Sequence, residues 1–246
     1  MADWIAYETS DTPSLEVSVD VDYDEDDTFR KAHPNLLIIS ASQFATDPDG
    51  QPTDGSAQAL FSLEQQLEAI CDEHDAATVC TVSGAGSYKI YVYAAGAEAA
   101  DALRARVAGL QITVDVQSER DDAWTTYERY VLRGEELEEA RDNDQIAQMD
   151  EAGEDLSAEF EVVFDCEIPE GKEDAALRAL AAAGFDVEEE SYDGVVEASR
   201  SMLVTPENLK AARAEIVRAI APLGGTYEGW GINPETEDET EKDEED

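Results

Sequence analysis

Few residues of this chain could carry out acid–base or nucleophilic chemistry near neutral pH. The sequence holds two histidines, His33 and His74, and three cysteines, Cys71, Cys80 and Cys166. Catalysis by such groups needs a nucleophile within hydrogen-bond reach of a base, and neither histidine stands beside a candidate nucleophile in a recognisable motif. The sequence therefore predicts no catalytic residue. Hydrolase activity that depends on a pair of carboxylates remains an alternative, because the acids are too numerous for any one pair to be singled out.

A zinc site is also not predicted. Cys71, His74 and Cys80 have the right ligand types, but they lack a fourth ligand and a recognised spacing. Core packing explains Cys71 better, because a free cysteine behaves as a small apolar side chain. An odd number of cysteines without framework spacing further indicates a reducing environment without structural disulfides. We expect no metal and no cofactor.

Aspartates at alternate positions between residues 20 and 26 invite comparison with a calcium-binding loop. Counted from Asp20, such a loop would need glycine at its sixth position and glutamate at its twelfth. The sequence has Glu25 and Lys31 there instead. We therefore interpret the segment as a solvated acidic strand end followed by a turn.

The net charge restricts the kinds of molecule that this protein could bind. Lys and Arg number 16 and Asp and Glu number 60, which gives a net charge of −44 spread along the whole chain. Repulsion of this size excludes direct binding to a phosphate backbone. In molar salt the Debye length falls to about 3 Å, so the repulsion would be screened in a salt-rich cytoplasm. Salt adaptation is our preferred interpretation, and an acidic mimic of nucleic acid is the alternative.

No apolar run approaches the roughly 20 residues that a membrane-spanning helix needs. The first residues, Met-Ala-Asp-Trp-Ile-Ala-Tyr-Glu, lack the basic and apolar regions of a signal peptide. We therefore expect a cytoplasmic protein that does not contact a membrane.

The apolar pattern of residues 158–231 predicts a small βαββαβ domain. Apolar and acidic residues alternate in the first strand, from 158 to 165, and a helix over 174–183 ends at Gly184. Two further strands lead to Thr205 and Pro206, which mark the start of a second helix. The last strand covers 226–231. Two helices on one face of a four-stranded antiparallel sheet make a ferredoxin-like α+β fold.

Two runs in this domain carry a family resemblance: Gly184-Phe185-Asp186-Val187 and Tyr227-Glu228-Gly229-Trp230-Gly231. They resemble the regulator of ribonuclease E activity B family. The resemblance covers about a third of the chain and implies a small, acidic, ferredoxin-like domain. It also implies inhibition of an RNA-degrading endonuclease by binding the enzyme rather than RNA. The expected function is thus that of a regulatory protein-binding module.

The last strand is the expected contact with the partner. Aromatic side chains beside glycines and rimmed by an acid have the composition of an interface hot spot for a basic segment. The predicted partner-binding residues are Tyr227, Glu228, Gly229, Trp230 and Gly231. Strict alternation would place Tyr227 and Trp230 on opposite faces, with Trp230 in the core and Tyr227 at the contact.

The first half of the chain repeats the order of elements without a residue-level repeat. A hairpin precedes residue 35, and residues 35–117 again predict βαββαβ. Three segments, at residues 49–52, 86–93 and 122–127, resemble a domain family of unknown function found fused ahead of the regulator. That resemblance implies no activity. An enzyme in this domain is the alternative function, and a pocket lined by Asp49, Lys89, Tyr91 and Trp124 would favour it.

The predicted organisation has four parts. Residues 1–133 form the domain of unknown function, and residues 134–155 form an acidic, partly helical linker. Residues 156–233 form the regulator-like domain. Residues 234–246 form an acidic tail that is expected to be disordered, because it is mostly Asp and Glu and has too few apolar residues to form a core.

Overall fold

Two antiparallel sheets organise the chain in a computed structural model, which describes residues 3–10, 14–24, 26–42, 44–47, 52–107, 114–187 and 194–233. The chain divides into two units, Met1–Arg141 and Asp142–Asp246. Helices and antiparallel strands occur in both units, which confirms the α+β class. No helix in these described ranges is long and apolar enough to cross a membrane.

The described residues of the first unit form six strands and several helices. The strands are β1 (Trp4–Glu8), β2 (Glu16–Asp20), β3 (Asn35–Ala41), β4 (Ala76–Gly84), β5 (Ser87–Ala94) and β6 (Asp115–Arg120). The helices are α1 (Asp27–Ala32), α2 (Asp54–Glu73), α3 (Ala97–Val107) and α4 (Thr125–Glu128), with a short 3-10 turn at Val21–Asp24.

The sheet of the first unit has the order β1-β2-β4-β5-β3-β6. Strands β6, β3, β5 and β4 follow the ferredoxin-like order, and the β1–β2 hairpin extends the sheet beyond β4. The predicted βαββαβ core and its N-terminal hairpin are both confirmed.

Alternation along the central strand β5 builds two separate cores, one on each face. Ile90 and Val92 pack with α2 and α3, where Leu63, Leu67 and Leu103 are buried. Tyr91 and Tyr93 point to the opposite face, where they pack with aromatic residues that follow β6. Successive side chains of a strand point to opposite faces, so one strand supplies both cores.

The described residues of the second unit include a four-stranded sheet with the order β10-β7-β9-β8, again ferredoxin-like. Its strands are β7 (Glu159–Glu167), β8 (Asp186–Val187), β9 (Val195–Leu203) and β10 (Thr226–Ile232). Helix α5 (Glu135–Ala152) is shared between the units, and α6 (Glu173–Ala182) and α7 (Pro206–Ile220) belong to the second. Thr205 caps α7 through a hydrogen bond from the Asn208 N–H, as predicted.

The segment 134–155, predicted as a partly helical acidic linker, contains a long helix. Nearly all of it is α5, and the division between the units lies inside it, after Arg141. Ala140 is buried in a core of the first unit and Met149 in the core of the second. Residues up to Arg141 thus add a buried apolar side chain to the first unit and residues from Asp142 add one to the second, because a few apolar residues are enough to bury one side of a helix. The expected tail, 234–246, lies outside the described residues.

Candidate functional site

The candidate partner strand, β10, contains a bulge that changes which way its aromatic residues point. Tyr227 pairs with Cys166 of β7, Gly229 pairs with Asp165, and Trp230 pairs with Phe164. The register shifts between Tyr227 and Gly229, so one extra residue is inserted there. Gly229 has φ +152°, a conformation that side-chain-bearing residues rarely adopt.

The bulge puts Tyr227 and Trp230 on the same face, because both pair with residues of β7 that point into the core. Both side chains are partly buried against that core. The expectation that the two aromatics lie on opposite faces is therefore wrong. That expectation assumed that side chains alternate without interruption along β10. The extra residue in the bulge shifts the alternation by one, so Trp230 points to the same side as Tyr227.

Trp230 is held by a buried polar network that includes α5. Its indole Nε1 donates a hydrogen bond to Asp142 Oδ1 at 2.9 Å, and Arg213 Nη1 donates to Asp142 Oδ2 at 2.6 Å. Asp142 and Arg213 are only 2% and 4% exposed. Gln145 Nε2 donates to the Trp230 carbonyl oxygen at 3.2 Å. A buried carboxylate held by a cation and an indole fixes the tryptophan ring, so Trp230 is anchored within the second unit.

The opposite face of the sheet carries the glycines of β10. A Cβ atom built on Gly229 or Gly231 would meet no heavy atom within 4 Å, so the space above both is open. Across the sheet, Gly229 lies in a row with Asp165 and Glu197. Gly231 lies in a neighbouring row whose other members are Val163, Ser199 and Asp186. These side chains are half-buried or exposed. We call this surface the glycine face; it is flat at β10 and acidic across β7 and β9.

The four residues of the possible pocket in the first unit have different environments. Trp124 is fully buried, stacks on Tyr93 with ring centroids 3.9 Å apart, and donates from Nε1 to the His33 carbonyl oxygen at 3.0 Å. Tyr91 is buried and lines a cavity of about 420 Å³ with α4 and Tyr130. Lys89 is exposed and does not line that cavity, and Asp49 lies outside the described residues.

Asp121 organises the segment around Trp124, and sequence reasoning missed it. Its carboxylate accepts hydrogen bonds from the backbone N–H groups of Thr125 and Thr126, at 2.9 and 3.1 Å, and from the Tyr93 hydroxyl at 2.8 Å. Burial opposes ionisation of this group, but the hydrogen bonds outweigh burial, and the pKa of Asp121 is lowered. An aspartate placed just ahead of a Thr-Thr helix start was the available signal.

The cysteines and histidines of the chain show no arrangement for catalysis among the described residues. Cys71, Cys80 and Cys166 are free and buried. Burial raises the pKa of the Cys71 thiol to about 11 and that of Cys166 to about 12, so both are protonated at neutral pH and are poor nucleophiles. His33 is buried, with Nε2 3.2 Å from Asp75. In the described ranges no group of three metal-ligating side chains is brought together.

Comparisons with known proteins agree with the division into two units. Residues 139–232 match the family model described as regulator of ribonuclease activity B, and residues 4–132 match a family of unknown function, DUF695. Among curated proteins, none matches the chain. An unknown protein from Galdieria sulphuraria, solved by crystallography, is similar over 82% of this chain and 98% of its own, with 10% identity and a TM-score of 0.23. A TM-score this low supports neither a fold nor a function.

Both predicted resemblances are confirmed, in the expected order along the chain. The DUF695 match, over residues 4–132, covers more than half of the 246 residues, and residues 139–232 match the regulator of ribonuclease activity B family; the chain therefore belongs to the DUF695 family.

Proposed function

We propose that this chain is a regulatory protein that binds a ribonuclease E-type endonuclease through its second unit and lowers its activity. The observation that carries the proposal is the match of residues 139–232 to a regulator of ribonuclease activity. A regulator family favours a binding role over an enzymatic one. The first unit belongs to a family of unknown function and adds no stated activity.

The glycine face is the surface that we propose for this contact. Tyr227 and Trp230 pack against the core, whereas Gly229 and Gly231 leave β10 open on the other side. A flat strand bordered by Asp165 and Glu197 can accept an extended segment and can attract its positive charge. In this proposal the predicted partner-binding segment, residues 227–231, has two parts: Tyr227 and Trp230 support the strand from the core side, and Gly229 and Gly231 meet the partner.

The charge of the chain defines the partner further. With 60 acids against 16 basic residues, the surface repels a phosphate backbone and favours a basic protein segment. The same negative charge favours a salt-rich cytoplasm, where the repulsion between the acids is screened. The free buried cysteines fit a reducing compartment.

The experiment that tests this proposal is a binding and inhibition assay at the salt concentration of the source cells. The purified full chain would be titrated into a ribonuclease E-type enzyme from the same organism, and the rate of RNA cleavage would be followed. We expect the rate to fall as a complex forms. Cleavage at an unchanged rate, with no complex detected, would remove the proposed function.

Two variant pairs locate the contact. Gly231→Leu places a leucine on the glycine face at a position where its Cβ atom meets open space, and Ala211→Leu places a leucine on the exposed side of α7. Glu197→Lys reverses a charge on the glycine face, and Glu170→Lys reverses one in an exposed turn. We expect the first member of each pair to weaken binding at least tenfold and the second to leave it unchanged. Equal effects within both pairs would place the contact elsewhere.

A further inference from the structure

A groove runs between α2 and strands β1, β2 and β4 of the first unit, and we call it the α2 groove. Its floor is a cross-strand row of small side chains in which Ala6 pairs with Ser18 and Ser18 pairs with Thr81. Two cavities, of about 460 and 420 Å³, meet along it and share Ser18, Thr81, Phe61 and Glu64 as lining residues. Volumes of this size are typical of small-molecule sites.

Carboxylates without cationic partners line the larger cavity. Asp20 lies on the sheet side, and Glu64, Glu68 and Asp72 lie on α2. The described residues that line the two cavities include no Lys or Arg. Within the described ranges, none of these four acids forms an ion pair. The groove therefore concentrates negative charge without cationic partners, with Asp20 buried and Glu68 and Asp72 exposed.

Asp20 is the most informative of these acids, because it is only 3% exposed. Its carboxylate accepts a hydrogen bond from the backbone N–H of Asp22 at 3.1 Å. Burial raises the pKa of Asp20, and burial likewise raises the pKa of Glu64, which accepts a hydrogen bond from the Tyr88 hydroxyl. A buried carboxylate without a counter-charge is costly, and a bound cation would offset that cost.

Aromatic side chains stand beside these carboxylates. Trp4 pairs with Asp20 across the β1–β2 hairpin and is 38% exposed, and Phe61 on α2 is 58% exposed. Tyr23 and Phe29, whose ring centroids lie 4.8 Å apart, complete the lining at that end. Aromatic faces attract ammonium groups through the ring quadrupole, and the methylene groups of an organic cation pack on the same rings. A metal ion has no methylene groups to pack on these rings, so the aromatic lining favours an organic cation.

The spacing of acids along α2 suits an extended cation. Glu64, Glu68 and Asp72 recur every four residues, so they lie on one side of the helix and are separated by about 6 Å along its axis. Two ammonium groups joined by a short alkyl chain span a similar distance. A monoamine could meet only one of these carboxylates at a time.

We propose that the α2 groove binds a linear alkyl diamine or polyamine, with its ammonium groups at Asp20 and the α2 carboxylates and its alkyl chain against Phe61 and Trp4. This site lies within the first unit and is independent of the proposed contact with the ribonuclease.

Titration calorimetry of the full chain with diaminobutane tests the proposal, in molar potassium chloride so that nonspecific attraction to the acidic surface is screened. We expect saturable binding of one ligand per chain. Butylamine, which has one ammonium group, should bind at least tenfold more weakly. Tryptophan fluorescence should change at the same ligand concentration, since Trp4 lines the groove, and the change should be absent in Trp4→Phe.

Glu68→Gln and Phe61→Ala change exposed groove residues and should not disturb the fold. We expect each to weaken diaminobutane binding at least tenfold. The matched control, Glu119→Gln on the exposed side of β6, should bind as the unaltered chain does. The proposal fails if diaminobutane does not saturate, if butylamine binds as tightly, or if the control variant loses as much affinity as Glu68→Gln.

Discussion

Individual buried carboxylates in this chain have different roles, and the role depends on whether a cation lies beside the carboxylate. Asp142 is buried between Arg213 and the Trp230 indole, so its charge is paired inside the second unit. Removing one partner of such a pair leaves an uncompensated buried charge, which is why Asp142 and Arg213 depend on each other. Asp20 is buried equally well and has no cationic partner among the described residues. The first supports the fold, and the second marks a site for a ligand.

Asp121 allows a prediction about pH. Its folded pKa lies below its value in the unfolded chain, so its charged form stabilises the fold above the unfolded pKa of about 3.9. That contribution is lost as the pH falls through the folded pKa. We expect Asp121→Asn to lower the free energy of unfolding near neutral pH, and we expect the difference from the unaltered chain to shrink as the pH drops below about 3.9.

Urea unfolding at a series of pH values, in constant molar salt, measures this difference. Glu119→Gln is the control, since Glu119 is exposed in the same unit. A difference between Asp121→Asn and the unaltered chain that stays constant from neutral pH to pH values well below 3.9 would contradict the role given to the charged carboxylate.

The last strand shows how one inserted residue controls a surface. The bulge before Gly229 turns both aromatics of β10 toward the core and leaves the glycines on the other side. Without it, one aromatic would occupy the glycine face and the strand would no longer be flat there. The bulge is therefore the element that separates the supporting side of β10 from the proposed contact side.

Two glycine variants test this account of β10. Gly229 has φ +152°, whereas Gly231 has no such conformation, and a Cβ atom on either would meet open space. Gly229→Ala should therefore cost about 1–3 kcal/mol of stability through backbone strain alone. Gly231→Ala should change stability by less than about 0.5 kcal/mol. Urea unfolding curves of the two variants, compared side by side, give the result, and equal losses would mean that the bulge does not require glycine.

The whole molecule carries a charge of −44, and its repulsion must be screened for the folded state to persist. We expect the melting temperature to rise by several degrees or more between low and molar potassium chloride. Each kcal/mol of relieved repulsion raises Tm by about 2–4 °C in a chain of this size. Thermal melts followed by circular dichroism measure this rise.

Sucrose at matched osmolality is the control for the salt series, because it strengthens burial without screening charge. A midpoint that does not move with potassium chloride, or that moves equally with sucrose, would remove salt adaptation. The mimic of nucleic acid would then become the better explanation of the acidic composition.

The sequence by itself determined the two βαββαβ cores, the N-terminal hairpin and the start of α7 at Thr205 and Pro206. These features follow from local rules: alternation marks strands, helical spacing marks helices, and capping residues and turns mark the boundaries. The two family resemblances were also present in short runs of the sequence and are confirmed.

Only the tertiary structure decided which side chains share a site. The bulge at Gly229 depends on pairing with β7, so alternation along β10 alone places Tyr227 on the wrong face. The pairing of Asp142 with Arg213, 71 positions later, has no local signal, and it gives a buried role to a segment that looks like an acidic linker. The α2 groove likewise lies between α2 and strands that precede it in the sequence, β1 and β2, and one that follows it, β4. Contacts between residues distant in sequence depend on how the elements pack, and local patterns carry no information about them.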